Sequence, residues 1–144
     1  MPDPFIQDRD ASRRFFLSVW DKYRTGEVLE PLENMILNVI LEHPEYHGLL
    51  QTGASALEQE FTPAEGVTNP FLHMGMHIAI REQVNTDRPA GIRRIHQQLA
   101  EKLSSAHEAE HRMFECLGEV LWIAQQNNTL PDEADYVEKI KRLL

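Results

Sequence analysis

Apolar residues recur at intervals of three and four along most of the chain, which is the spacing of one face of an α-helix. The first such stripe lies within residues 10–24 and comprises Phe15, Phe16, Val19, Trp20 and Tyr23. No segment alternates apolar and polar residues in the way that a half-buried strand does. The pattern therefore predicts an all-α protein, a single-domain helical bundle of about six to seven helices.

Prolines, glycines and capping residues divide this pattern into elements. We expect a flexible or loosely docked arm over residues 1–9 and a loop over Phe61–Thr68, where Pro63 and Gly66 favour turns. Ser105 and Glu108 have the spacing of a capping box at the start of the longest helix. The predicted helices cover about 10–24, 30–42, an interrupted 44–60, 69–84, 90–103, 106–126 and a short final helix that begins at Pro131–Asp132.

The central helix, 69–84, is apolar on nearly every side, which is typical of a helix inside a bundle. Asn69 is a good N-cap, and Pro70 suits the first helical position. The same helix carries His73 and His77, which are four residues apart and so share one face. Buried imidazoles need polar partners. The residues that face these two rings are therefore candidates for a functional site.

Length and charge limit the classes of function. The chain has 144 residues, enough for one self-sufficient core, and a formal net charge of −9. No basic face is available to neutralise phosphates, which argues against general binding to nucleic acid or to anionic membranes. No apolar run approaches the length of a membrane span, and the N-terminus has no apolar signal region. The single cysteine, Cys116, favours a reducing compartment, so we expect a cytoplasmic protein.

Histidine spacing is the strongest chemical signal. Six of the seven histidines form pairs that are four residues apart: His43/His47, His73/His77 and His107/His111. On a helix, this spacing presents two ring nitrogens to one metal ion. Pro44 follows His43 directly, so the first pair does not share one regular helix. His96 lies outside the pairs in a polar stretch, and we expect its side chain to be solvated.

The long helix, 106–126, has two faces to bury. One is lined by alanines and large apolar residues, and the other carries His107, His111, Phe114, Gly118 and Trp122. Gly118 permits another helix to approach closely. Glu115 lies one turn after His111, and Glu108 lies three residues before it, so both are candidates to bind a metal or to orient a ligand.

These patterns predict a histidine-rich metal site. We expect His73, His77, His107 and His111 to be ligands, Glu115 to be a ligand or catalytic base, and His43, His47 and Glu108 to be weaker candidates. A site with many imidazoles and few carboxylates suits Zn, Ni, Cu or Fe better than Mg or Ca. A metal-activated water or an open position for a small substrate would make the protein a metal-dependent enzyme. The sequence leaves open whether it is one.

Several enzyme classes have no support in the sequence. The GxSxG motif of serine hydrolases is absent. One Glu-x-x-His occurs, Glu108–His111, whereas di-iron carboxylate bundles use two. Cys116 lies beside Met113 and Leu117, where a buried structural thiol is expected.

The alternative is a non-enzymatic interaction protein. Its histidines would form a buried hydrogen-bonded cluster, and no metal would be involved. Exposed members of the set Trp20, Trp122 and Tyr136 would then contact a partner or a second copy of the chain in a homodimer.

Four motifs carry a resemblance to a known family. They are HPEYH (His43–His47), TPAEG-x-TNPFLHMGMHIAIREQ (Thr62–Gln83), D-x-P-x-GIR (Asp87–Arg93) and H-x-AEH-x-MFECLGEVLW-x-AQ (His107–Gln125). The chain resembles, from about Phe15 to its last helix, an uncharacterised, mainly proteobacterial family that is classed as a domain of unknown function. The resemblance implies no activity. It does imply which residues belong to the family's motifs: the three histidine pairs, Glu115, Gly118, Asn69 and Pro70, but not His96.

Overall fold

The computed structural model describes the backbone of residues 4–58 and 69–144, and the side chains of 10–53, 55–58 and 69–144. These residues form eight α-helices and one 3₁₀ turn, and no strand occurs among them. The all-α prediction is confirmed. Six helices have nine residues or more, and two have five. The predicted loop Phe61–Thr68 lies outside the described residues.

Short connections join the helices on either side of residues 59–68, which lie outside the described part of the chain. Their bounds are α1 Pro4–Thr25, α2 Pro31–Leu41, α3 His47–Gln51, α4 Ala54–Glu58, α5 Pro70–Thr86, α6 Ile92–Leu103, α7 Ala106–Gln126 and α8 Glu133–Lys141, and the 3₁₀ turn is Pro44–Tyr46. The predicted positions of α2, α5, α6 and α7 agree with these bounds to within a few residues. α1 begins earlier than predicted, at Pro4, since proline is well suited to the first turn of a helix.

Side-chain caps explain where the later helices begin. Asn69 Oδ1 accepts hydrogen bonds from the backbone N–H groups of Phe71 and Leu72, at 3.1 and 3.2 Å. Ser105 Oγ accepts from Glu108 N at 3.0 Å, and Asp132 Oδ1 accepts from Asp135 N at 3.1 Å. Each bond satisfies an amide that has no partner within its helix. The predicted N-caps Asn69 and Ser105 are therefore confirmed.

The segment predicted as one interrupted helix over 44–60 is three separate elements as far as residue 58. Pro44 begins the 3₁₀ turn, and α3 follows it. Gly53 separates α3 from α4 with a φ of +62°, which glycine adopts without steric cost.

The helices divide into two compact units, Met1–Gly75 and Met76–Leu144, so that α5 contributes to both. In the first unit α1 packs against α2, α3 and α4. Its buried apolar residues include Phe16, Val19, Trp20, Ile36, Val39, Ile40, Leu50 and Phe71. None of the helices that the structure describes combines the length and apolarity that crossing a bilayer requires.

In the second unit α6 packs along α7, and α8 contacts both. The core comprises Ile80, Ile92, Ile95, Leu99, Ala109, Met113, Cys116, Val120, Tyr136 and Ile140. Ala109, Met113 and Val120 of the apolar face predicted for α7 belong to this core, whereas Ala106 of that face is exposed. Cys116 is buried, as expected of a structural thiol.

Candidate metal centre

Three histidines of the second unit lie against one another. His77 comes from α5 and has no exposed surface, whereas His107 and His111 come from the first two turns of α7 and are partly buried. His107 and His111 are four residues apart, so the helix places both rings on one face. That face is the second face predicted for α7. The ring that lies against it belongs to His77, one of the two histidines of α5 that were predicted to be ligands.

The rings of these histidines are in direct contact. The centroid of the His77 ring lies 4.4 Å from that of His107, at an angle of 24°, and 4.7 Å from that of His111. The His107 and His111 centroids are 4.7 Å apart. Each ring offers one nitrogen that lies within 4.8 Å of the nitrogens offered by the other two. These nitrogens are close enough to bind a single metal ion.

Nε2 of His107 and Nε2 of His111 lie 3.1 Å apart. Two nitrogens that each lie about 2.1 Å from a tetrahedral zinc ion are about 3.4 Å apart, so the distance is close to that of two ligands of one cation. The same distance suits an N–H···N hydrogen bond if one ring carries its proton on Nε2. The two arrangements differ in which nitrogens hold protons.

A buried carboxylate completes the cluster. Glu110 on α7 is 3% exposed, and its Oε1 accepts a hydrogen bond from His77 Nδ1 at 3.0 Å. Arg81 Nε lies 3.1 Å from both oxygens of the same carboxylate. Burial raises the pKa of Glu110, but the hydrogen bonds from His77 and Arg81 outweigh it, so the pKa of this carboxyl lies below its ordinary value.

Glu110 is the functional candidate that sequence reasoning missed, because Glu108 and Glu115 were chosen by their distance from His111. Two signals could have found it. Residues 107–111 read HEAEH, which has both the H-E-x-x-H order of zinc proteases, with Glu108 in the position of the base, and the H-x-x-E-H order that some zinc peptidases use, with Glu110 there. Arg81 lies one turn after His77 on a largely apolar helix, where a buried or half-buried guanidinium needs an acidic partner.

Phe114 is the apolar neighbour of the site. Its ring lies perpendicular to that of His77, with centroids 5.3 Å apart, and 5.0 Å from that of His111. It occupies the same face of α7, one turn after His111, as predicted. Further along this face, no other helix of the described residues comes within 4 Å of the position that a Cβ on Gly118 would take, so the close approach that Gly118 permits does not occur among them, and Trp122 is 62% exposed.

A family model described as a domain of unknown function (DUF1841) matches residues 8–142. The chain belongs to this family. The matched range includes all seven histidines and Glu110. Neither the curated proteins nor the solved structures contain a significant match to the chain. The family supplies no activity, so the chemistry of the site must be argued from its own residues.

The other predicted histidines lie in the first unit. His43 Nδ1 donates to the backbone carbonyl of Val39 at 2.8 Å, and His47 Nε2 donates to that of Ile40 at 2.8 Å. His73 contacts His43, with ring centroids 5.1 Å apart. The predicted ligand roles of His43, His47 and His73 stay predictions.

The predicted carboxylates and His96 are placed as follows. Glu108 is exposed and lies 3.7 Å from Arg112, and Glu115 is also exposed. Their roles in the site stay predictions. His96 was expected to be solvated but is half-buried on α6, because it flanks the buried residue Ile95. Burial lowers the pKa of His96, a change that the charge of Glu110 opposes.

Proposed function

We propose that this protein binds a divalent transition-metal ion through His77, His107 and His111. One observation carries the proposal: three ring nitrogens from two helices lie within 4.8 Å of one another in the second unit. Helices hold their side chains more rigidly than loops do, so the ligands would be positioned before the metal arrives.

The donor set favours a particular class of metal. Neutral imidazole nitrogens suit Zn, Ni, Cu and Fe, whereas Mg and Ca take oxygen ligands. Zinc is the first ion to test, because it is commonly bound by three protein ligands with a fourth position for water.

Catalysis is the extension of this proposal. A metal ion with one open position acidifies a bound water molecule or polarises a small substrate. Glu115 is the candidate base predicted from the sequence. The oxygens of Glu110 already accept bonds from His77 and Arg81, which makes Glu110 the weaker candidate for that role.

A second function is supported by the separation of 3.1 Å between the Nε2 atoms of His107 and His111. If one of these nitrogens is protonated, the three rings form a hydrogen-bonded structural cluster, and the protein acts through a surface. Trp122 is the exposed member of the predicted aromatic set, since Trp20 and Tyr136 are buried. In this version Trp122 contacts a partner or a second copy of the chain.

Metal content distinguishes the two functions. Protein purified without a polyhistidine tag is analysed for its metals, stripped with a chelator, and titrated with Zn²⁺ by calorimetry. We expect about one ion per chain, and for His111→Ala and His77→Ala an affinity at least about 100-fold weaker, because losing a ligand should cost more than losing a neighbour of a ligand.

The matched control is His47→Ala. Its ring nitrogen bonds to the backbone carbonyl of Ile40, and we expect its metal affinity to match that of the unmodified protein. Circular dichroism establishes that each variant is folded. If the unmodified protein binds less than a stoichiometric amount of metal, and the alanine variants bind just as much, the proposed function is wrong. If the protein does bind zinc, single substitutions of His43 and His73 test whether either residue is a ligand, as the sequence predicts.

The proposal extends to location and assembly. The one thiol, Cys116, is buried and free, which suits a reducing compartment, and we therefore propose a cytoplasmic protein. We also propose a homodimer, supported by the exposed Trp122 on α7. Sedimentation of the protein and of Trp122→Ser tests this assembly, because a Trp122 contact predicts dissociation in the variant.

A further inference from the structure

Glu110 is a charged group that is buried in the core. It is 3% exposed, and removing a carboxylate from water costs several kcal/mol unless hydrogen bonds compensate it. The compensation comes from α5, where His77 and Arg81 are spaced four residues apart and so face the same way. Both donate to Glu110 at 3.0–3.1 Å. Packing between α-helices does not require a buried charge, so we looked for a role of Glu110 in the chemistry of the neighbouring histidines.

The contact with Glu110 determines which nitrogen of His77 carries a proton. An ionised carboxylate can only accept hydrogen bonds, so Nδ1 of His77 is the donor. The neutral ring then keeps its lone pair on Nε2. A metal-binding histidine needs such a lone pair on one nitrogen and commonly donates the other N–H to a carboxylate or carbonyl.

Arg81 keeps the carboxylate in this role. Its Nε lies 3.1 Å from each oxygen of Glu110, so the guanidinium faces the same edge of the carboxylate that receives His77. The charge of Arg81 favours the ionised form, in which neither oxygen carries a proton and both accept hydrogen bonds. These contacts leave Glu110 poorly placed to take a proton from water, and they suit a residue that orients another.

We infer that Glu110, held by Arg81, is a positioning residue of the proposed metal site: it fixes His77 in the tautomer that offers Nε2 to the cation. This inference rests on the proposed function. It also makes a claim about the metal-free protein, because the tautomer of His77 is set by Glu110 whether or not a cation is bound.

Glu110→Gln is the informative substitution. An amide has one oxygen and one NH₂ group, and Arg81 faces both positions. If the oxygen faces His77, the NH₂ group meets the guanidinium. If the NH₂ group faces His77, it requires Nδ1 to be an acceptor and moves the proton of the ring to Nε2. The matched control is Glu101→Gln, which removes an exposed carboxylate from α6.

Two measurements test the inference. Proton–nitrogen correlation spectra of the metal-free protein report which ring nitrogen of His77 is protonated. We expect Nδ1–H in the unmodified protein and in Glu101→Gln, and loss of this state in Glu110→Gln. Titration with Zn²⁺, and with Co²⁺ as a spectroscopic probe, should show affinity about 10–100-fold weaker in Glu110→Gln, with a changed Co²⁺ absorption spectrum. Glu110→Asp should restore part of both.

The outcomes separate the two proposals. If the unmodified protein binds Zn²⁺ and Glu110→Gln binds it equally well with the same Co²⁺ spectrum, Glu110 does not position a ligand and the inference is overturned. If the unmodified protein binds no Zn²⁺, the proposed function fails and the positioning role fails with it. A variant that loses stability but keeps its metal affinity would show that the contact is only structural.

Discussion

The histidines of the two units are satisfied in different ways. In the first unit, His43 and His47 each donate to a backbone carbonyl at 2.8 Å, and the ring of His47 lies 4.6 Å from that of Trp20. In the second unit, His77 donates to a carboxylate, and the rings of His77, His107 and His111 face one another.

The contrast shows why spacing alone does not identify a site. Both His43/His47 and His107/His111 are four residues apart, yet the first pair bonds separately to the main chain, while the second pair brings two Nε2 atoms within 3.1 Å. A backbone carbonyl satisfies a ring without requiring a second side chain. A buried carboxylate that is paired with an arginine places charge in the core, and such a pair lies beside the second cluster.

The largest effect on stability should come from Arg81→Ala. The substitution removes the positive charge and the hydrogen bonds of Arg81 from the buried carboxylate of Glu110. We expect this loss to lower the free energy of unfolding by about 3 kcal/mol. Urea denaturation measures it. The matched control is Arg112→Ala, since Arg112 lies 3.7 Å from Glu108 at the surface and such pairs contribute only about 0.5 kcal/mol. Equal losses for the two variants would contradict the distinction between a buried charge network and a surface pair.

A smaller loss is expected for His47→Ala in the first unit. The substitution removes one hydrogen bond to the carbonyl of Ile40 and the packing of the ring against Trp20, together about 1–2 kcal/mol. Its affinity for Zn²⁺ should not change. A substantial fall in affinity would place His47 in the metal site and remove the contrast between the units.

Tyr136→Phe tests a neutral buried pair in the second unit. The hydroxyl of Tyr136 donates to Gln83 Oε1 at 2.7 Å, so the variant should lose about 1 kcal/mol of unfolding free energy. Metal affinity should again be unchanged, because neither residue is among the clustered histidines. If Tyr136→Phe weakened Zn²⁺ binding as much as Glu110→Gln, any loss of core polarity would suffice, and the specific role of Glu110 would be wrong.

The smallest effect concerns pH. Backbone hydrogen bonds from Arg93 and Gly91 lower the pKa of Asp87 below its ordinary value. Stability from this group is therefore fully present above the ordinary value and is lost as the pH falls through the lowered one. We expect the difference in unfolding free energy between the unmodified protein and Asp87→Asn to shrink as the pH falls in this acid range. A difference that stayed constant with pH would show that the Asp87 carboxylate makes no such contribution.

The fold was predictable where local signals agree. Asn69, Pro70 and Ser105 mark the starts of α5 and α7, and the periodicity between those marks predicts the buried faces. The segment 44–58 was less predictable. Pro44 and Gly53 both interrupt the helix, and the sequence does not specify how short the pieces between them become.

The site was predictable in its histidines but not in its charges. The periodicity of α7 puts His107 and His111 on one face, and their contact with His77 follows from that face being buried. Glu110 could not be chosen over Glu108 or Glu115 from distance to His111 alone. Glu110 is distinguished by its hydrogen bonds to Arg81, which lies 29 residues away in the sequence. Helical periodicity does not reveal a pair so far apart, because the two residues meet only when α5 packs against α7.

The central claim is most directly tested by diffraction from crystals soaked in Zn²⁺, with data collected at the zinc absorption edge. The proposal predicts one anomalous peak per chain, bonded at about 2.1 Å to ring nitrogens of His77, His107 and His111. His77 should bind through Nε2, with Nδ1 still bonded to Glu110. No peak at these rings, with His107 and His111 still hydrogen-bonded to each other at saturating Zn²⁺, would contradict it.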